Sequence, residues 1–326
     1  MGTTASNDDI SAALAAVQQA AVLCDEAQGR LVAGETLTKS DDSPVTVADF
    51  AAQAVVCAVL EDRLGDVRLV GEEDPADLAD PDQAPLRDGV NSLVSAAFGR
   101  PVTDSEITQW IDIGSAPATG DRYWTLDPID GTKGFLRGDQ YAIALGLIEH
   151  GRVVLGVLGC PNLPNADGSR GAIFVGANES ATMYTANAPD GVPVRVDDPD
   201  ELSDARFCES VESGHSDQSQ SAQIAAALGI ETEPFRIDSQ CKYAAVARGD
   251  AAIYLRLPTR ADYQEKIWDH AAGAFVVEQA GGRVTDVNGL PLDFSVGSRL
   301  SENSGVVATS GRHHDEVIAA VKSVLG

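Results

Sequence analysis

The chain has 326 residues, 44% of them apolar, which is enough to bury one large core or two of ordinary size. Fifty acidic residues against 23 basic ones give a net charge of −27, which argues against sequence-independent nucleic-acid binding, because a phosphate backbone needs a positive footprint. The most apolar stretch, Ala51 to Leu60, is too short to cross a bilayer, and no basic segment precedes a hydrophobic one near the N-terminus. The expectation is a cytoplasmic protein with no membrane partner. Five widely spaced cysteines without a Cys-x-x-Cys pair read as buried thiols in a reducing compartment. An aspartate-rich, lysine-poor surface also suits a high-salt cytoplasm, where screening tames self-repulsion, so a halophilic or salt-tolerant source is expected.

Ile10, Leu14, Val17, Ala21 and Cys24 recur at helical spacing behind Asp8 and Asp9, which can cap the start of an amphipathic helix. Asp41 to Asp49 is an extended segment leading into a second, alanine-rich helix from about Ala48 to Leu64, with Asp49 in its first turn. Val67 to Gly71 reads as a short strand, and Glu72-Glu73-Asp74 follows at its end, where open α/β sheets gather functional groups. Pro75 to Asp88 reads as surface loop, and Asn91 to Phe98 as a short helix. Thr103-Asp-Ser-Glu106 is a capping box that opens another helix. Gly114 to Gly120 is a loop feeding a central strand that contains Tyr123, Trp124 and Leu126.

That strand runs into Asp127-Pro128-Ile129-Asp130-Gly131-Thr132-Lys133-Gly134. Pro128 cannot donate a ladder hydrogen bond, so the chain is expected to leave the sheet there, with Asp127 and Asp130 on the exit turn. Two carboxylates converging on one point are tolerable when a cation sits between them, and hard oxygen donors without nearby His or Cys favour Mg²⁺. The Ile129 carbonyl is a further candidate ligand. Gly131 permits positive φ, and the amides of Gly131 and Thr132 would face an anion if they open a helix.

Beyond this turn, Tyr141 to Glu149 and Arg152 to Leu158 flank His150-Gly151 as a hairpin, and Cys160-Pro161 is expected to break the second strand. Ile173 to Gly176 and Ala181 to Thr185 suggest further antiparallel strands. Pro189 to Pro199 reads as the boundary between an N-terminal α+β half, residues 1–199, and a C-terminal α/β half, residues 200–326. In the second half, His215, Ser239, Lys242 and Arg256 lie where polar segments leave strands, and together they can supply stacking and cationic donors to a base and a phosphate. Asp269 is placed as N-cap of a helix ending near Gly281-Gly282. His313 and His314, ahead of the last helix, read as solvent-facing.

Trp124 to Phe135 resembles the metal-binding signature of the Mg²⁺-dependent, lithium-sensitive phosphatases that include the inositol monophosphatases. Its extension through Tyr141 resembles the branch of 3′(2′),5′-bisphosphate nucleotidases. Ser43-Pro44-Val45-Thr46-x-x-Asp49, Gly71-Glu72-Glu73 and Trp268-Asp269-x-Ala-Ala match further family segments, and Tyr263 to Asp269 is longer than the general signature requires. The resemblance implies a layered αβαβα sandwich. It also implies hydrolysis of 3′-phosphoadenosine 5′-phosphate to AMP and phosphate, with 3′-phosphoadenylyl sulfate accepted, as in sulfur assimilation. Two or three Mg²⁺ ions would be held by Glu72, Asp127, the Ile129 carbonyl, Asp130 and Asp269, with Glu73 just outside them. Asp49 and Thr132 would activate water, and Thr132, His215, Ser239, Lys242, Arg256 and Asp269 would contact the nucleotide. A monomer is expected. The alternatives are an inositol monophosphate or polyphosphate 1-phosphatase and a non-catalytic sensor of the bisphosphate nucleotide.

Overall fold

A computed structural model describes residues 4–30, 36–38, 44–79, 83–211, 218–258, 260 and 263–326. Helix α1 (Asn7–Arg30) opens on a reciprocal cap: the Ser6 amide donates to Asp9 Oδ2 at 3.0 Å and the Asp9 amide to Ser6 Oγ at 3.1 Å. Ser6 is therefore the capping residue, and Asp9 serves from within the first turn. Strands β1 (Thr36–Thr38) and β2 (Pro44–Thr46) pair antiparallel and lead into α2 (Val47–Leu64), which is buried from Val47 to Leu60 as its alanine-rich sequence allows. Strand β3 (Leu69–Gly71) follows. The stretch expected to be loop instead contains α3 (Ala76–Ala79) and the first turns of α4 (Ala84–Phe98). Pro85 lies in the first turn of α4, where its missing N–H costs nothing, so a proline read as a breaker is a starter. Helix α5 (Asp104–Ile113) carries the expected capping box, with Thr103 Oγ1 accepting from the Glu106 amide at 3.2 Å and Glu106 Oε2 accepting from the Thr103 amide at 2.8 Å.

Strand β4 (Arg122–Asp130) runs through Pro128 instead of ending there. Asp127 pairs with Ala144 and Asp130 with Ala142, so one residue is extra on β4 and the proline sits in a bulge that asks no ladder bond of it. A six-residue helix, α6 (Thr132–Arg137), comes next. The hairpin β5 (Ala142–Glu149) and β6 (Arg152–Pro164) turns at His150, whose φ of 49° marks a turn residue. Strand β6 passes Cys160-Pro161 by a second register shift, so that dipeptide bends the strand without ending it. Strands β7 (Arg170–Ala177), β8 (Ser180–Thr185) and β9 (Ala188–Val194) complete a seven-stranded sheet in sequence order β3 to β9, antiparallel apart from β3 and β4.

A second sheet of five strands follows, in order β11-β10-β12-β14-β13. Its elements are β10 (Phe207–Glu209), α7 (Gln218–Ala227), β11 (Phe235–Arg236), α8 (Cys241–Arg248), β12 (Ile253–Arg256), α9 (Ala271–Gln279), β13 (Arg283–Thr285), β14 (Val306–Thr309) and α10 (His314–Leu325). Strands β10, β11 and β12 are parallel and the rest antiparallel.

Side-chain alternation along the strands assigns the layers. Ile143, Leu145, Leu155 and Val157 face α1 and α2, whereas Ala142, Ala144, Leu158 and Phe174 face α8 and α9. In the second sheet Cys208, Tyr254 and Ala308 face α8 and α9 from the other side, and Phe207, Ile253 and Val307 face Ile224 of α7 and Val317 and Val321 of α10. The chain is thus an αβαβα sandwich with α8 and α9 as its middle layer. A row of glycines, Gly146, Gly156 and Gly176, lies in register across β5, β6 and β7. A Cβ on Gly156 would stand 2.5 Å from the Ala272 carbonyl oxygen and one on Gly176 2.9 Å from Val276 Cα, so the missing side chains let α9 lie directly on the sheet.

Candidate active site

The functional side chains meet where the ends of β3 and β4 face the starts of α8 and α9. The Glu72 amide donates to the Leu126 carbonyl at 3.2 Å, which brings Glu72 beside Asp127. Gln53 of α2 clamps this turn from behind: its Nε2 donates to the Glu73 carbonyl at 2.7 Å and its Oε1 accepts from the Glu73 amide at 3.1 Å. Asp49 lies four residues earlier, on the same face of α2, and is buried.

Gly131 has φ 90° and starts α6. A Cβ there would lie 2.8 Å from Ser239 Cβ, so glycine is needed both for its backbone and for the approach of the second half of the chain. That approach is tied down by the Gln240 amide, which donates to Asp130 Oδ2, and by Arg137 Nη2, which donates to Asp238 Oδ2 at 2.9 Å. The Gln240 side chain reaches the third partner: Nε2 donates to the Trp268 carbonyl at 2.9 Å and Oε1 accepts from the Gly273 amide at 3.2 Å. Gln240 therefore sets Asp130 and Asp269 relative to one another. Ser239 takes φ 64°, an unfavourable value for a residue with a side chain, held by these contacts.

The resulting cleft encloses about 970 Å³, its open mouth included. Its lining brings together the acidic residues Glu72, Asp127, Asp130, Asp238 and Asp269, the cationic Lys133, Lys242 and Arg256, and Ile129, Thr132, Ser210, Ser239, Gln240 and Tyr254. Burial, then the charges of Glu72, Asp130, Asp269 and Asp49, pushes the Asp127 carboxyl well above the usual carboxylate range. Burial likewise pushes Asp269 up to about 7, although Arg256 and His270 pull it down. Asp127 Oδ1 is buried and accepts no hydrogen bond. An orphaned carboxylate oxygen inside an acidic cluster, with a neighbouring main-chain carbonyl, fits a hard divalent cation. The Ile129 carbonyl accepts from the Thr132 hydroxyl at 3.3 Å.

On the cationic side, Lys242 is buried, which pushes its ammonium down, with Asp130 opposing. Its Nζ lies 5.3 Å from the Tyr254 ring centroid. Arg256 Nε donates to Glu265 Oε2 at 2.8 Å.

Of the residues named from sequence, Glu72, Asp127, Ile129, Asp130, Thr132, Ser239, Lys242, Arg256 and Asp269 line this one cleft. Asp49 is not among the lining residues but is close enough for its charge to raise Asp127. His215 lies outside the described residues. Asp269 is not the N-cap; that position is His270, and the carboxylate turns into the cleft instead. Sequence reading missed Gln240, Asp238 and Tyr254. Gln240 and Asp238 flank Ser239 in a strand-to-helix turn, the one available signal. Tyr254 reads as an ordinary strand residue.

A profile of the inositol monophosphatase family matches residues 6–325. The chain is 44% identical over 332 residues to a protein named 3′(2′),5′-bisphosphate nucleotidase from Schizosaccharomyces pombe, covering 96% of this chain and 94% of that one. It is 40% identical over 320 residues to one of the same name from Dictyostelium discoideum, covering 96% of each. Among solved structures, an IMPase from Thermotoga maritima superposes with a TM-score of 0.65 at 20% identity over 96% of both chains. Mycobacterium tuberculosis SuhB superposes with a TM-score of 0.61 at 20% identity over 97% of this chain and 96% of that one. These structural likenesses concern the fold.

Proposed function

The chain belongs to the inositol monophosphatase family, and on that premise we propose that it hydrolyses 3′-phosphoadenosine 5′-phosphate to AMP and phosphate, and 3′-phosphoadenylyl sulfate in the same way. The relatives named as bisphosphate nucleotidases, matched over nearly the whole chain, support the reaction. The single structural observation that carries it is the composition of the cleft: an acidic group of Glu72, Asp127, Asp130 and Asp269 with Thr132, and a second group of Lys242, Tyr254 and Arg256, line one space. A substrate with two phosphates on a nucleoside meets both parts at once.

Family membership implies dependence on a divalent metal, and the donor set of Glu72, Asp127, the Ile129 carbonyl, Asp130 and Asp269 suits two or three Mg²⁺ ions. When bound, such ions supply electrostatic stabilisation of the scissile phosphate and of the leaving 3′-oxygen. The protein's own residues do the rest. Asp49, behind Asp127, takes the proton of the attacking water, and Thr132 orients that water at the first turn of α6. The water oxygen bonds to phosphorus as the bond to the 3′-oxygen breaks, and the leaving oxygen is protonated to the 3′-hydroxyl of AMP. Lys242 and Arg256 hold the non-reacting phosphate, Tyr254 and Ser239 flank the nucleoside, and this fixed pose supplies positioning. His215 belongs to the same nucleotide contacts by sequence. The enzyme is proposed to act as a cytoplasmic monomer inhibited by lithium. Among the described residues no helix is long and apolar enough to cross a membrane.

Phosphate release from 3′-phosphoadenosine 5′-phosphate and from inositol 1-phosphate, each with Mg²⁺, with EDTA and with LiCl, tests the proposal. The nucleotide is expected to be strongly preferred, with release abolished by EDTA and lowered by lithium. Preference for the inositol phosphate would overturn the nucleotide reading, and tight nucleotide binding without release would make the chain a sensor.

A further inference from the structure

Behind the cleft, four side chains form a hydrogen-bonded line. The Tyr243 hydroxyl lies 2.7 Å from His270 Nδ1, His270 Nε2 lies 3.1 Å from Glu265 Oε2, and Arg256 Nε donates to that same carboxylate oxygen at 2.8 Å. Tyr243, His270 and Glu265 are buried, at 0%, 1% and 5% exposure, and none of them lines the cleft. Arg256 does line it and keeps 23% of its side chain exposed.

The proton positions follow from the ends of the line. Burial, reinforced by Tyr254, raises the Tyr243 phenol well above its usual range, so it stays an O–H donor. Burial alone would raise the Glu265 carboxyl, but bonding to His270 and Arg256 holds it down to about 2, so it only accepts. His270 Nε2 therefore donates to Glu265, and its Nδ1 shares a hydrogen with the Tyr243 hydroxyl. Both ring nitrogens are engaged. Although Glu265, Asp269 and His270 have ligand atoms within 4.8 Å of one another, His270 serves Glu265 and has no lone pair left for a metal.

We propose that Tyr243, His270 and Glu265 are positioning residues that aim the Arg256 guanidinium at the second, non-reacting phosphate of a bisphosphate nucleotide. The inference rests on the assignment of Arg256 to that phosphate. An arginine has a long, flexible stem and a planar fork, and it recognises phosphate well only when the fork is held in one plane. Fixing Nε on Glu265 fixes that plane. Glu265 is held in turn by His270 Nε2, and the Tyr243 hydroxyl holds the ring by Nδ1: without that hydroxyl the imidazole is free to turn away from the carboxylate. The anchor itself is rigid, because Tyr243 packs on Gly273, where a Cβ would stand 2.2 Å from its ring, and meets the edge of Tyr254 at 5.0 Å and 90°. The line also gives a physical reason for the stretch Tyr263 to Asp269, which the metal site alone does not require. Tyr263 lies near enough to Arg256 to feel its charge, and Glu265 anchors it.

The test is the ratio of KM for adenosine 3′,5′-bisphosphate to KM for adenosine 3′-monophosphate, which lacks the second phosphate. Arg256→Ala, Tyr243→Phe and Glu265→Gln are each expected to raise the ratio roughly tenfold, with kcat for the bisphosphate changing much less. Combining Tyr243→Phe with Arg256→Ala is expected to add nothing beyond Arg256→Ala alone, since both act on one contact. If Glu265→Gln does not fold, Tyr243→Phe, which removes one atom, carries the test. An Arg256→Ala variant with a raised ratio beside a Tyr243→Phe variant with a wild-type ratio, or losses that add fully, would overturn the positioning line and leave Arg256 in place. An unchanged ratio in Arg256→Ala would instead remove Arg256 from the second phosphate, and the line's proposed purpose with it.

Discussion

Burying a carboxylate oxygen with no hydrogen bond is costly unless a charge or a cation compensates. Asp127 Oδ1 is in that position, with Glu72, Asp130, Asp269 and Asp49 all adding repulsion. The residue therefore destabilises the fold on its own and becomes stabilising when a divalent cation is present. The expected outcome is that Asp127→Asn melts at or above the wild-type temperature in EDTA, and that Mg²⁺ raises the wild-type Tm by several degrees while scarcely moving the variant. Thermal melts in the two conditions check this, and a variant that gains as much from Mg²⁺ as the wild type would take Asp127 out of the cation site. Asp127, Asp130 and Glu72 were legible as candidates because their spacing puts acids at strand ends. Gln240 was not, because a glutamine that bridges the Asp130 carboxylate and the Trp268 carbonyl shows its purpose only once both are beside it.

At the scale of elements, α9 carries Asp269 into the cleft, and the glycine row of β5, β6 and β7 determines how close α9 can come. Gly156→Ala would put a methyl 2.5 Å from the Ala272 oxygen, a backbone atom that cannot step aside. The expected cost is about 1–3 kcal/mol for overpacking, together with a loss of turnover because the whole helix, and Asp269 with it, is pushed off the sheet. Denaturant unfolding and kcat measured on the same preparation check the pair of effects; a destabilised variant with unchanged kcat would separate helix position from catalysis. Capping signals proved readable locally, as Thr103 and Glu106 show, because both partners lie within one turn. The strand ends did not, since Pro128 and Pro161 each fall at a register shift that only the neighbouring strand reveals.

For the molecule as a whole, the outermost layer is pinned through His314, expected at the surface but 0% exposed. The Thr285 hydroxyl donates to the Asp286 carbonyl and so accepts from His314 Nε2 at 2.8 Å, while Nδ1 accepts from Thr309 Oγ1 at 2.8 Å. This neutral tautomer ties α10 to β13 and β14. Burial, with Arg283 adding, pushes its pKa down from 6.5 to about 4. Because the unfolded chain takes up this proton below pH 6.5 and the folded chain only below about 4, the contribution is complete above pH 6.5. It is lost as pH falls through that window, by on the order of 3 kcal/mol. Unfolding free energies between pH 7 and 4 are expected to fall more steeply for the wild type than for His314→Gln, and parallel curves would remove His314 as the cause. His313, one residue earlier, keeps 18% of its side chain exposed and bonds Glu316, so adjacency in sequence said nothing about which histidine is fully buried.

Sequence by itself picked out the candidate chemistry: the acids at strand ends and the glycine that must take a positive φ follow from residue types at short spacing, where local sterics and charge decide, and the layered αβαβα architecture was implied by the family resemblance of those motifs. Tertiary structure alone decided the arrangement. Asp130 and Asp269 are 139 positions apart, and they share a cleft because Gln240 bonds to both neighbourhoods and the glycine row lets α9 lie flat. Likewise the hydrogen bonding of His270, the burial of His314 and the anchoring of Arg256 depend on partners from other elements, since a side chain's orientation is set by what surrounds it and not by what precedes it in the chain.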